Sequence, residues 1–449
     1  MTIVNCRSER SKAKSSLRVR HKQGHPSWVV LFIRQKTCVV KKNMVIIMEE
    51  NEMKAKERKF VEFHEIIGDL KHLRRIGWVM REVPQAETVA SHSWRMALMA
   101  MQKEIELKEL GVDVNRVIEM CLLHDVAEAV VGDIVPEAQQ MANKKILKAE
   151  KAEREMAAID NFASKYDFPK LKKLFEEYEE QVTLEAQVTK NLDKMDMLLQ
   201  AYEYSLACPD LSRLGEFMQY DEQDVNLPIF KDDLQEIKAR QYDKKTKVNK
   251  FVDFQLLAGK LKHLERSGPK MYGIEDCETV AAHSYRSALM ALYLEKDLQK
   301  QGLNVSDVVK IALVHDMGEA VIGDVVPEKW QKGTKISKAE KHKREVQAIM
   351  MMSKQYDVPF VWQAFDAMEQ RTTPEASMAK DLEIFEGIQQ AFEYIKKYPE
   401  KGILREWVPY HQPRIKSDLV QGLVVAVKEK QDKFLISKNY PTVYKEGGR

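Results

Sequence analysis

Apolar residues recur at spacings of three and four along most of this chain. Over 94–109, 144–165 and 184–206 the pattern is carried by Ala, Leu and Met set against Glu and Lys, and it predicts long amphipathic helices. Val-rich alternating runs broken by closely spaced turn dipeptides, the mark of strands, are missing. The expected fold class is therefore all-α. Loops are expected at 111–115 (GVDVN), just before YDFP at 166–169, and around 208–212 (CPDLS).

The same pattern occurs twice. Residues 70–92 and 261–283 align without gaps at an offset of 191, with 12 of 23 positions identical, and 119–137 and 310–328 keep that offset with 11 of 19. At an offset of 190, KAEKAERE (148–155) matches KAEKHKRE (338–345), and NLDKMDMLLQAYEY (191–204) matches DLEIFEGIQQAFEY (381–394). A period this long means tandem domain duplication rather than a solenoid. Copy one is expected over 51–242 and copy two over 246–430, joined by the charged stretch ARQYDKKTKVNK (239–250) and followed by a tail at 431–449. Two all-α bundles in tandem are the predicted architecture.

Composition sharpens this in three ways. With 44% hydrophobic and 31% charged residues, 449 residues read as a soluble globular chain with room for two cores. The longest apolar run near the N-terminus, WVVLFI at 28–33, is far short of the roughly 20 residues needed to cross a bilayer, so no membrane partner is expected. Five scattered cysteines with no CxxC pair suggest neither a disulfide framework nor a zinc ribbon, and point to the reducing cytoplasm. The net charge of +3 hides an asymmetry: residues 1–47 carry eleven Lys or Arg against one acid, which leaves −7 for the remainder. A mildly acidic body does not suit nucleic-acid binding. The basic segment, 1–50 as an extension, reads as a basic arm, a transit-like presequence, or translated leader ahead of Met44 or Met48. The last is favoured, because helical periodicity begins just after Met48.

Against this background one phrase stands out: LLHDVAEAVVGDIVPE at 122–137, repeated as LVHDMGEAVIGDVVPE at 313–328. In copy one His124 and Asp125 are adjacent, Glu128 follows His124 by four residues on the same helix face, and Asp133 comes just past Gly132. His92 lies upstream in ETVASHSWRMALMAM, and Asp193 downstream in NLDKMDMLLQA, both on apolar helices. Carboxylates on apolar faces are expensive to bury without compensation, and a divalent cation supplies it. Two imidazoles and two carboxylates form a mixed N/O set suited to Mn, Fe, Co, Ni or Zn. Any one of these residues alone would read more readily as a satisfied core group. Lys148, Glu150 and Lys151 read as a solvated face, and the Met-rich runs (Met96, Met99, Met101; Met350 to Met352) as helix packing.

The order H…HD…D, with ETVASHS before it and HDVAEAVVGDIVP at its centre, resembles the HD-domain metal-dependent phosphohydrolases, and within them the branch that removes phosphate from deoxynucleoside 5′-monophosphates. The resemblance runs over about 60–218. It implies one divalent metal per active site, held by His92, His124, Asp125 and Asp193. It implies Glu128 as catalytic acid/base, Asp133 facing the substrate sugar, and Arg75 and Trp78 contacting phosphate and base. Such chemistry agrees with the residues: a metal acidifies water and neutralises phosphate, a carboxyl moves the proton, and an arginine grips the phosphate. Copy two keeps His283, His315, Asp316, Glu319 and Asp324 but has Glu383 where copy one has Asp193, placing the carboxylate about 1.5 Å further out. Asp381 is on another side of that helix, and Trp78 and Arg81 become Pro269 and Tyr272. Copy one is thus the expected catalytic unit, acting on a small nucleotide, and the homodimeric pairing that the resemblance implies becomes an intramolecular pseudo-dimer of the two all-α bundles. Two alternatives stay open: another phosphorylated nucleotide (a triphosphate, an alarmone or a cyclic dinucleotide, whose GYP signature is absent), or a sensor that binds without turnover.

Overall fold

In the computed structural model the described residues are 54–135, 146–208, 212–219, 221–242, 248–326, 328, 331 and 335–443. The expectation for 1–50 lies outside them. Glu57 onward forms one unit holding both copies. Among the described residues it is all-α, with only two isolated bridges, Arg74 with Thr88 and Glu265 with Thr279.

Each copy is built on three long helices. In copy one these are Val89–Gln102, Val114–Leu123 and Leu184–Ala207, and in copy two Val280–Tyr293, Val305–Val314 and Pro374–Lys397. Their starts follow from capping: Thr88 and Thr279 accept from the backbone N–H groups of Ser91 and Ala282, Thr183 and Thr373 do the same for Ala186 and Ala376, and Asp113 caps Val114–Leu123. The periodic stretch 94–109 is two helices, because Lys103 leaves helical geometry and a second helix, Glu104–Glu109, follows. The Lys- and Glu-rich stretch forms Lys148–Lys165.

The two first-histidine helices pack directly on each other, and one continuous apolar core contains residues of both copies, among them Trp94, Leu98, Tyr285 and Leu289. Equivalent residues make equivalent contacts in the two directions. Trp94 Nε1 donates to the carbonyl of Leu313 at 2.8 Å, and Tyr285 Oη to that of Leu122 at 2.9 Å. The helical segment 57–67 of copy one lies against copy two, with Phe60 5.2 Å from Tyr293 and 5.8 Å from Phe385 between ring centres. Its counterpart Lys250–Gly259 returns the contact, Gln255 Nε2 donating to Gln102 at 2.9 Å.

Two boundaries differ from expectation. The final helix, Asp418–Ser437, runs past residue 430 because Leu435 is buried against Ile274, Cys277 and Tyr394. The linker is shorter than 239–250, since Lys231–Tyr242 and Lys250–Gly259 are helical. Met96, Met99, Met101 and Met352 are packed as expected, but Met350 and Met351 are exposed.

Candidate metal centre

Copy one brings four of its chemistry-bearing residues together from three helices. His92 ends the first turn of Val89–Gln102 and is fully buried. His124 sits at the C-terminal end of Val114–Leu123. Past it the backbone hydrogen bonds tighten, Val126 bonding to Leu123, Glu128 to Asp125 and Ala129 to Val126. With about three residues per turn, positions i and i+3 eclipse, so Glu128 lines up with Asp125 rather than with His124 as the sequence suggested. Gly132 (φ 77°, ψ 163°) then ends the short helix Glu128–Val131 in a region open only to glycine. That turn sends Asp133 back so that its Oδ2 accepts from the N–H of Ile76 at 2.6 Å. Asp133 therefore fixes the backbone next to Arg75, whose Nη1 lies 3.6 Å from Asp125 Oδ2.

Both imidazoles have one nitrogen committed. His92 Nδ1 lies 2.6 Å from Asp196 Oδ2, and His124 Nδ1 lies 3.0 Å from the carbonyl oxygen of Cys121. Each acceptor calls for an N–H at Nδ1, which places the lone pair on Nε2. Both Nε2 atoms are buried without a hydrogen bond. They face carboxylate oxygens, His92 Nε2 at 3.3 Å from Asp193 Oδ1 and His124 Nε2 at 3.1 Å from Asp125 Oδ2. Lone pairs set against anions repel; a proton on the ring reverses the sign, as the raised pKa of His92 beside Asp196 and Asp193 reflects against burial, and so does a divalent cation between them. Ligand atoms of His92, His124 and Asp193 lie within 4.8 Å of one another, with Asp125 at the edge. The residues present fit a first-row divalent ion.

The electrostatics separate the carboxyl groups. At Asp193 burial opposes ionisation, but Lys190, His92 and Arg75 hold the carboxyl well below the usual range. Asp125 is likewise lowered against burial by His124 and Arg75. Glu128 goes the other way, because burial, then Asp125 and Asp133, raise it well above an ordinary glutamate. Arg75 stays charged despite burial, held by Asp133, Asp125 and Asp193. A carboxyl pushed toward its protonated form beside carboxyls held toward ionisation has the character of an acid next to a cation site.

Several participants escaped the sequence reading. Tyr178 Oη and Lys190 Nζ reach Asp193 Oδ2 at 3.3 and 2.9 Å. Asp196, one turn beyond Asp193, orients His92 and pairs with Arg95. Lys151 is not merely solvated: burial opposes its charge, while Glu155, Glu128, Asp125 and Asp133 raise its pKa. Retention of an acid at 386, an arginine at 286 and lysines at 341 and 380 was the available signal. Trp78 is displaced from its expected role. It is 3% exposed, packs on Phe217 and Tyr204, and donates from Nε1 to Glu87 at 2.8 Å, so it is a packing residue that anchors Glu87 rather than a platform for a base. In copy two Pro269 stands in its place, and Trp407 packs beside it against Gly268 and Gly387.

Copy two repeats the histidine arrangement. His315 Nδ1 meets the carbonyl oxygen of Ala312 at 2.8 Å, His283 Nδ1 meets Glu386, and both Nε2 atoms are buried without a hydrogen bond. Here the tight group is His283, His315 and Asp316, and Glu383 is not part of it. Glu383 has Lys380 at 3.1 Å but no phenol, since Met368 replaces Tyr178. Asp381 is spent elsewhere, pairing with Arg371 and accepting from the N–H groups of Lys416 and Ser417. Glu319 is raised by burial, Asp316 and Asp324, as Glu128 is in copy one, and Asp324 Oδ2 accepts from Ser267 N–H at 2.5 Å.

Comparison with known proteins identifies the family. The HD domain family profile matches residues 67–227 and again 258–412. The chain is 36% identical over 160 residues to the 5′-deoxynucleotidase HDDC2 of Danio rerio, covering 35% of this chain and 75% of that protein. It is 37% identical over 183 residues to the protein of the same name from Dictyostelium discoideum, 38% of this chain and 93% of the relative. For the Homo sapiens protein the match is 35% over 187 residues, 41% and 87%. Each match has about the length of one copy, and with two matched stretches spanning most of its length this chain belongs to the HD domain family, as a tandem pair.

Proposed function

We propose that copy one is a metal-dependent phosphomonoesterase that removes phosphate from (deoxy)nucleoside 5′-monophosphates. The observation that carries this reading is the pair of buried, unbonded Nε2 atoms of His92 and His124 facing ionised carboxylates, with a raised Glu128 beside them. The names of the relatives, all 5′-deoxynucleotidases, supply the substrate class. His92, His124, Asp125 and Asp193 would hold the ion, whose chemistry when bound is to acidify water and neutralise phosphate charge. Arg75 offers its guanidinium to the phosphate, positioned by Asp133 through the N–H of Ile76. Water attacks phosphorus, the P–O5′ bond breaks, and its electron pair takes the proton of Glu128. The proton released by the water restores Glu128. Lys151 adds a positive charge on the same side.

Copy two is assigned binding and pairing rather than turnover, because Glu383 replaces Asp193 and Met368 removes the phenol that reaches that carboxylate in copy one. The internal pairing of the copies takes the place of a homodimer, with the short linker supplying a high effective concentration. The reducing cytoplasm is the compartment this reading assigns, in keeping with free thiols at Cys121, Cys208 and Cys277. No described helix is long and apolar enough to cross a membrane.

The test is phosphate release from a panel of 5′-mononucleotides with Mn²⁺ or Co²⁺, parent chain beside His124→Ala/Asp125→Ala and His315→Ala/Asp316→Ala. Loss in the first double variant alone is expected. No phosphate from any mononucleotide with the parent chain would end the reading.

A further inference from the structure

Behind each pair of histidines lies a second acidic group, and its counter-charge comes from the other copy. Around His92 the carboxylates of Glu87 and Asp196 lie close enough to hold a cation, and all three residues are buried. The cation is Lys262, a residue of copy two. Its side chain is 0% exposed, pairs with Glu87, and lies 3.2 and 3.1 Å from the two oxygens of Asp196. Asp196 in turn holds His92 Nδ1 at 2.6 Å and pairs with Arg95. The mirror arrangement is complete. Lys71 of copy one, also 0% exposed, pairs with Glu278 and lies 2.5 Å from Glu386 Oε1, and Glu386 holds His283 Nδ1 and Arg286.

We propose that each metal centre is completed by a lysine from the opposite copy: Lys262 holds the Asp196–His92 pair of copy one, and Lys71 holds the Glu386–His283 pair of copy two. The proposal rests on the metal reading above and names the residues through which the copies depend on each other. An ammonium has three N–H donors and no acceptor, so at this point it can only bind carboxylates. Without it, Glu87 and Asp196 would face each other in a buried site, with Asp196 left to Arg95, already shared with Glu203 at 2.8 Å, and Glu87 left to the more distant charge of Arg75. Asp196 would then turn away from Glu87, and the hydrogen bond that fixes the His92 ring would be lost. Groups that orient a ligating histidine in this way typically govern metal affinity by 10–100-fold. Lys262 and Lys71 are positioning residues, acting on the metal through a carboxylate and an imidazole. This gives copy two a reason to persist with a displaced Glu383, a methionine at 368 and a proline at 269: it still supplies Lys262.

The experiment uses the full chain with one centre silenced at a time. With His315→Ala/Asp316→Ala in every sample, only copy one can take up Co²⁺, followed by its visible absorption and by elemental analysis of bound cobalt. Lys262→Met is expected to weaken that binding by about 10–100-fold and to change the absorption spectrum, and to do so at least tenfold more than Lys71→Met. With His124→Ala/Asp125→Ala instead, the order is expected to reverse, Lys71→Met now being the damaging change. A general loss of fold lowers both centres together and cannot produce that reversal. Adding Glu87→Gln to Lys262→Met removes the stranded carboxylate and is expected to recover part of the affinity. Equal effects of the two lysines in both backgrounds, or no effect of Lys262→Met at copy one, would overturn the proposal. If the sample with both lysines intact takes up no cobalt, the metal reading itself fails and this inference fails with it.

Discussion

At the scale of single residues, neighbouring carboxyl groups in one buried site are set to opposite tasks by their surroundings. Asp193 is held toward its ionised form because Lys190, His92 and Arg75 outweigh burial, and Glu128 is pushed toward its protonated form because burial is reinforced by Asp125 and Asp133. Glu128→Gln keeps the shape and removes the transferable proton. Phosphate release should fall by roughly 10²–10⁴ while cobalt uptake stays at the parent level, read by paired turnover and elemental analysis. Glu155 gives a pH prediction. Burial first, with Asp125 and Glu179, outweighs the pull of Lys151 and brings its carboxyl up to about 7 from 4.5. Between those values the folded chain holds a proton that the unfolded chain has released, so this group's contribution to stability falls as pH rises through that window. In metal-free protein Glu155→Gln should therefore raise the thermal midpoint at pH 8, and the difference from the parent should shrink to nothing near pH 4.5.

The elements explain why these residues meet. The centre depends on a tightened turn after His124 and on a glycine that lets the chain double back. Gly132 has φ 77° and ψ 163°, a conformation that costs other residues about 1–3 kcal/mol. Gly132→Ala should lower unfolding free energy by that order. Its second effect is to loosen the Asp133–Ile76 hydrogen bond that sets Arg75, so KM for a mononucleotide should rise more than kcat falls. Equal losses in the two parameters would mean that the turn serves stability alone. The periodic pattern made the helices legible, but the break at Lys103 and the i→i−3 bonds at 126–129 were not, because a residue pattern does not report hydrogen-bond register.

The whole molecule is a reciprocal pair whose interface is also the support of its two sites. Gly259 shows how close the fit is. A Cβ there would meet the carboxylate of Glu203, and would lie 2.7 Å from Arg95 Nη1; at the equivalent Gly68 it would lie 2.6 Å from Arg286 Nη1 and 2.9 Å from Glu393 Oε2. Overpacking of this kind typically costs about 1–3 kcal/mol. Gly259→Ala should lower the denaturant midpoint and, since Arg95 also pairs with Asp196, weaken cobalt binding at copy one more than at copy two. An unchanged midpoint would show that the interface can give way at this point.

The all-α class, the duplication, the order of His92, His124, Asp125, Glu128 and Asp193, and the altered Glu383 could all be read along the chain, because periodicity, repetition and motif spacing are local properties. Trp78 shows where that reading stops. Beside Arg75 it looked like a contact for substrate, and whether an indole faces a cleft or a core depends on what packs over it, here Phe217 and Tyr204. Lys151 shows the converse, a charged residue in a charged run that feels Glu128, Asp125 and Asp133 because its helix packs against Glu128–Val131. Lys71 and Lys262 were visible as one repeated letter in two aligned phrases. Only the tertiary structure decided that each serves the opposite copy, because a buried charge finds its partner through three-dimensional proximity, and these partners lie 207 and 315 residues from Lys71.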